Sequence, residues 1–127
     1  MAKILIIEDD PYISRTYHRM FSLENYQVEL AEDGEEGLLK AKSFQPTLIL
    51  LDLKIPKKDG FAVLDALKAD ASTKAIPVVV LTNMSSDDDE KNVLAKGAIK
   101  YILKSDYEPM QVADMVKQIL TGMTVPQ

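Results

Sequence analysis

The chain has no cysteine among its 127 residues, which removes disulfides, thiolate metal sites and cysteine nucleophiles and permits a reducing cytoplasm. Its one histidine, His18, has no second histidine or cysteine beside it to share a metal. His18 therefore reads as a solvated side chain on the first helix, not as a ligand or a phosphohistidine relay. No apolar run approaches the ~20 residues of a membrane-spanning helix. The opening "MAKILIIEDD" carries too short an apolar segment for a signal peptide before it meets acid. A basic excess is missing as well. The net charge of −5 and the pI near 4.8 argue against binding nucleic acid through its phosphates. There is no internal repeat, no Walker loop and no G-x-G-x-x-G. The expectation is one cytoplasmic domain over residues 1–122 with a short tail, 123–127, and neither a membrane nor a direct nucleic-acid partner.

What the chain does have is enough apolar content, 46%, to fill one core at this length. Short apolar runs alternate with longer amphipathic ones, the pattern of a parallel sheet covered by helices. Strands are predicted at Lys3–Ile7, Gln27–Ala31, Thr47–Leu51, Pro77–Leu81 and Ala98–Leu103. Ile4–Ile7, Leu48–Leu51 and Val78–Leu81 are continuously apolar, so both of their faces should be buried and they should lie centrally. Gln27–Leu30 alternates and Ile99–Tyr101 partly does, which places the second and fifth strands at the edges. An α/β doubly wound, five-stranded parallel sheet of order 2-1-3-4-5, flavodoxin-like, follows. Helix signals agree. Ile13, Tyr17, Met20 and Phe21 share a face of the first helix, and Val112, Met115, Val116, Ile119 and Leu120 a face of the last, with Pro109 near its start. Ser86 and Asp89 read as a cap, and Gly97 as the end of the same helix.

Each buried run ends in polar residues: Glu8-Asp9-Asp10, Asp52, Thr82-Asn83 and Lys104-Ser105. In an open parallel sheet these positions share the carboxyl edge, where such folds bind ligands. With the first and third strands adjacent, Glu8, Asp9 and Asp52 crowd together. Two like charges about 4 Å apart repel by about 4 kcal/mol at an effective dielectric of 20. A hard divalent cation relieves this, and an all-oxygen set suits Mg²⁺. Lys104 offers a positive charge for an anion and Thr82 a hydroxyl. Asp52 as a mere helix cap is disfavoured, because Asp59, next to Gly60, is better placed to cap the following helix. The group suits an anionic phosphoryl group beside a metal.

The stretches "ILIIEDD", "LILLDLKIPKKDG", "VVVLTN" and "KGAIKYILK" resemble, in order and spacing, the response-regulator receiver domain of two-component signalling over nearly the whole chain, of the single-domain, chemotaxis-regulator-like kind. The resemblance implies Asp52 as phosphoacceptor, Asp9 as a direct Mg²⁺ ligand, Glu8 as a ligand through water, and the main-chain carbonyl of Lys54 as a further ligand. It implies that Thr82 and Lys104 bind phosphoryl oxygens and that Thr82 and Tyr101 form the switch. Donors would be a histidine kinase or a histidine phosphotransfer protein. The output would be contact with a downstream protein through the fourth helix, fifth strand and fifth helix, without turnover of a substrate. This sequence departs from the pattern at Thr47, Ile55, Asn83 and Ser105. Asn83 would narrow access to the site. Ser105 stands where the family has proline, often after a cis bond. Either a trans bond with a rearranged loop or a cis bond then fits, and the reach required of Lys104 favours cis.

Two other readings compete. An aspartate-nucleophile phosphatase would place an acid two residues after the nucleophile, where Lys54 stands. A flavodoxin-like cofactor binder would need a Gly/Ser/Thr-rich phosphate loop after the first strand, where the chain has Glu8-Asp9-Asp10-Pro11. The run Asp87–Glu90 most simply stabilises the start of its helix, with a basic partner as the alternative. The methionines read as core filler, with Met84 close to the site.

Overall fold

In a computed structural model that describes residues 2–83 and 86–124, five parallel strands run in the order β2-β1-β3-β4-β5. They are β1 (Lys3–Ile7), β2 (Gln27–Ala31), β3 (Leu48–Leu51), β4 (Val78–Thr82) and β5 (Lys100–Leu103). Helices α1 (Pro11–Leu23), α2 (Gly34–Phe44), α3 (Gly60–Ala69), α4 (Asp87–Ala95) and α5 (Pro109–Thr124) connect and follow them. The doubly wound order expected from the apolar runs is the one observed.

Because β1, β3 and β4 are apolar at every position, each feeds two cores, one per sheet face. Leu5, Ile7, Ile49, Leu51, Val78 and Val80 pack beneath α2, α3 and α4. Ile4, Ile6, Leu48, Leu50, Val79 and Leu81 pack beneath α1 and α5. Burying one such side chain is worth about 1.5–3 kcal/mol, so the central strands are fixed in register by both faces at once. β2 alternates exposed and covered residues, as an edge strand does.

Helix ends follow local chemistry. The carboxylate of Asp10 accepts the N–H groups of Tyr12 and Ile13, with Pro11 next in the chain. Asp59 caps α3 through Ala62 N–H at 2.9 Å. Ser86 caps α4 through Asp89 N–H at 3.4 Å. That helix closes with Gly97 N–H on the Leu94 carbonyl, Ala98 N–H on the Val93 carbonyl, and a φ of 110° at Gly97.

Five local expectations are adjusted. β3 begins at Leu48, since the Thr47 hydroxyl accepts the Lys3 N–H at 3.1 Å from outside the strand. β4 runs on through Thr82, and β5 begins only at Lys100. α5 continues through Thr124, past the boundary placed at 122, and 125–127 lie outside the described residues, as does Met84. The Lys104–Ser105 bond is trans, against the expectation of cis: no peptide bond among the described residues is cis. Lys104–Asp106 form a 3₁₀ turn instead. That turn redirects the chain at the end of β5, so the lysine reaches inward without a non-proline cis bond costing about 2.5–4 kcal/mol.

Candidate functional site

The ends of β1, β3, β4 and β5 bring the predicted residues to one place. Strand pairing sets Ile7 opposite Leu51, so the residues that follow, Glu8 and Asp52, emerge side by side. Main-chain bonds carry this one step beyond the strands: Glu8 N–H donates to the Ala31 carbonyl at 2.9 Å and Asp52 N–H to the Ile7 carbonyl at 3.0 Å. Carboxylate oxygens of Glu8, Asp9 and Asp52 lie within 4.8 Å of one another. Glu8 is 4% and Asp52 7% exposed, while Asp9 is open to solvent. Three carboxylates that close form a hard, all-oxygen donor set, which fits Mg²⁺.

Lys104 crosses the sheet edge to them. Its ammonium donates to Asp52 Oδ2 at 3.0 Å and also to Glu8 Oε1. The other oxygens are held by main chain: Lys54 N–H donates to Asp52 Oδ1 at 3.3 Å and Asp10 N–H to Glu8 Oε2 at 3.2 Å. One ammonium against three carboxylates leaves the cluster anionic.

Burial raises the Glu8 carboxyl to about 7 and the Asp52 charge adds to this, against the opposing hydrogen bond from Lys104. For Lys104, burial acts to lower the pKa, but the Glu8 hydrogen bond and the charges of Asp52 and Glu8 outweigh it and hold the group above the ordinary lysine value. The buried phenol of Tyr17 is pushed up to about 12, first by burial and then by the charge of Glu8.

Thr82 is fully buried at the end of β4. It shares a sheet face with Val80, whose partner on β5 is Tyr101. Tyr101 is half-buried against the core beneath α2, α3 and α4. Burial raises its phenol pKa, opposed by a hydrogen bond from the Ser86 main chain at the start of α4. The two expected switch residues are thus neighbours on one face, and Tyr101 touches the helix it would have to move.

A cavity of about 260 Å³ opens over Glu8, Asp9, Asp52, Lys54, Thr82 and Lys104, with Ile13 and Asn83 also in its wall. Asn83 thus lines the cavity. Asp10 also borders the cavity, but its carboxylate is spent on capping α1. His18 is exposed, and Asp87–Glu90 occupy the first turn of α4. Ile13 was missed as a wall residue. Its apolar spacing marks only which helix face turns inward, not that the end of that face overhangs the carboxylates.

Comparison with known proteins agrees with this geometry. The family described as "Response regulator receiver domain" matches residues 4–119. "DNA-binding dual master transcriptional regulator RpaA" of Synechocystis sp. is 39% identical over 119 residues, covering 94% of this chain but 48% of that protein. The chain thus spans about half the length of that relative. "Protein PilH" of Pseudomonas aeruginosa is 34% identical over 104 residues, covering 82% of this chain and 86% of PilH. Among solved structures, a response regulator receiver domain protein (CheY-like) from Methanospirillum hungatei superposes with a TM-score of 0.88 at 27% identity, over 96% of this chain and 95% of that one.

Proposed function

The chain belongs to the response regulator receiver domain family, and from that premise we propose that it is a Mg²⁺-dependent phosphoacceptor switch built on Asp52. The observation that supports this most directly is the convergence of a buried Asp52 carboxylate, two further carboxylates within 4.8 Å and the Lys104 ammonium 3.0 Å from Asp52. Glu8, Asp9 and Asp52, with the Lys54 main-chain carbonyl, would hold the metal, Asp9 directly and Glu8 through water. Bound there, Mg²⁺ supplies charge neutralisation at the phosphoryl oxygens.

The chain's own residues do the rest. Asp52 attacks phosphorus in line. As its O–P bond forms, the N–P bond of a partner's phosphohistidine breaks and the electron pair returns to the imidazole. Lys104 and Thr82 hold the phosphoryl oxygens. The product is an acyl phosphate bearing about −1.5 to −2 charge, which water later removes. A switch, rather than turnover of a substrate, is the consequence. The domain receives the group from a histidine kinase or phosphotransfer protein in the cytoplasm. Thr82 moves toward the phosphoryl group, Tyr101 follows, and the α4-β5-α5 face between Val93 and Met115 changes shape for a downstream protein.

Incubation with acetyl phosphate followed by intact-mass measurement tests this reading. The parent chain should gain one phosphoryl group only with Mg²⁺ present, and Asp52→Asn none. Equal modification of Asp52→Asn refutes the assignment.

A further inference from the structure

The loop that follows Asp52 is anchored at both ends but projects in the middle. Lys54 N–H bonds to Asp52, Gly60 N–H bonds to the Leu53 carbonyl at 2.9 Å, and Leu53 and Ile55 are buried. Pro56 and Lys57 stand out from the core. There the chain makes a three-residue turn, with Lys58 N–H on the Pro56 carbonyl at 2.8 Å and a φ of 69° at Lys57. A γ-turn with positive φ at a lysine is a strained arrangement that needs support from its surroundings.

The support comes from the start of α2, an element with no part in the chemistry above. Gly34 N–H donates to the same Pro56 carbonyl at 3.3 Å. The approach is so close that a Cβ at Gly34 would meet the Lys58 carbonyl oxygen at 2.0 Å and Lys58 Cβ at 2.8 Å. Beside it the Lys57 ammonium lies 3.6 Å from Asp33 Oδ2, on a carboxylate that also caps α2. Asp33 is held below its ordinary carboxylate value, first by the Glu36 N–H bond and then by the Lys57 charge, which outweigh the opposing effect of burial. We propose that Gly34 and Asp33 are positioning residues for the metal site: through Pro56 and Lys57 they fix the loop that presents the Lys54 carbonyl and orients Asp52.

Pro56 is two residues from Lys54, so a displacement at the turn reaches the Lys54 carbonyl before Leu53 and Asp52 can absorb it. This inference rests on the reading of Glu8, Asp9, Asp52 and Lys54 as the Mg²⁺ site. The test is a Mg²⁺ titration of the full chain followed by amide NMR, with metal-free melting measured in parallel. In Gly34→Ala the added methyl must push the Lys58 carbonyl aside, and Mg²⁺ affinity should fall about tenfold, the low end for outer partners of a metal site. Metal-free shift changes should centre on residues 53–60. A purely structural role would lower the melting temperature and leave Mg²⁺ affinity alone. Affinity within twofold of the parent overturns the proposal. Where Gly34→Ala does not fold, Lys57→Gln decides. Loss of a positive charge near a cation site should by field alone tighten Mg²⁺, whereas loss of the tether should weaken it. Equal or tighter binding overturns the proposal, and weaker binding supports it. A parent chain whose Asp9, Asp52 and Lys54 signals ignore Mg²⁺ overturns the site and this inference together. A parent that binds while Gly34→Ala binds equally overturns only the inference.

Discussion

Lys104→Met removes the positive charge that the structure places between Glu8 and Asp52 while keeping most of the apolar stem. The Lys104 side chain is 10% exposed, that of Glu8 4% and that of Asp52 9%, so little water is available to replace the ammonium. Breaking a buried ion cluster by removing one partner costs about 3–5 kcal/mol, because a charge is left uncompensated. Here the cost should fall at the low end, about 3 kcal/mol, since Glu8 already sits near 7 and can take up a proton instead. At roughly 3–5 °C per kcal/mol for a domain of this size, metal-free Lys104→Met should melt about 10 °C below the parent at neutral pH.

The pH dependence gives a second handle. The folded-state pKa of Glu8 is raised from 4.5 to about 7. Its contribution to stability is therefore fully present below 4.5 and is lost as pH rises through 7. Metal-free parent should lose up to about 3 kcal/mol across that window. In Lys104→Met the opposing hydrogen bond is gone, so the loss should extend to higher pH. Saturating Mg²⁺, which binds only the folded cluster, should raise the melting temperature of Lys104→Met more than that of the parent. Thermal unfolding in chelator and in Mg²⁺, on both sides of the window, measures all three. If Lys104→Met and the parent melt together above pH 7 in chelator, and respond equally to Mg²⁺, the cluster does not carry the strain assigned to it.

Three shorter expectations accompany it. Asp52→Asn should raise the melting temperature of metal-free protein and shrink the stabilisation by Mg²⁺, because it removes repulsion with Glu8 and Asp9 while Lys104 keeps Glu8; a melting temperature unmoved by both changes counts against a shared site. Thr82→Ala should accept a phosphoryl group yet respond weakly. The lost charge-assisted bond, about 1.5–3 kcal/mol, corresponds to about a ten- to hundredfold population ratio, and full parental amide shifts around Tyr101 and α4 with a beryllofluoride mimic would exclude this coupling route. Gly97→Ala should destabilise by about 1 kcal/mol, since φ is 110° there and Ala pays a steric penalty that Gly does not; denaturant unfolding reads it directly.

Sheet order was legible because the signal is local and unambiguous. Ile4–Ile7, Leu48–Leu51 and Val78–Leu81 have no polar position to turn outward, whereas Gln27–Leu30 does. Once the order is known, Glu8, Asp9, Asp52 and Lys104 must meet, since they follow strands whose ends share an edge. The course of the chain after Lys104 was not legible. A proline at 105 would have implied one geometry, but serine leaves several open, of which the structure takes a trans bond and a 3₁₀ turn. The contact of Gly34 with the loop after Asp52 was hidden for another reason. Asp33-Gly34 reads as a helix start on local grounds, and nothing local says which loop the glycine is small enough to meet.

The same sheet edge explains why a chemical event at Asp52 need not stay local. Lys104 is shared between Glu8 and Asp52, so on the proposed reading any new acceptor oxygen at Asp52 competes with Glu8 for one ammonium. On the same reading, a phosphoryl group, with about −1.5 to −2 charge, draws that ammonium away from Glu8. Thr82, next to this point on β4, is fully buried and can answer only by moving as a unit with its surroundings. Its face of the sheet carries Tyr101, and Tyr101 holds the Ser86 main chain at the start of α4. The energy available is bounded by the difference in how the two states bind the phosphoryl group. A Thr82 bond alone falls short of the about 5.5 kcal/mol needed to invert a 1:99 equilibrium. On the proposed reading, Lys104 and the main chain beside Asn83 contribute the remainder, which predicts that Lys104→Met, even when phosphorylated at Asp52, moves α4 only part of the way to the arrangement of the phosphorylated parent. Phosphorylated Lys104→Met with parental amide shifts in α4 would show that Thr82 suffices and that the bridge to Glu8 is electrostatic ballast only.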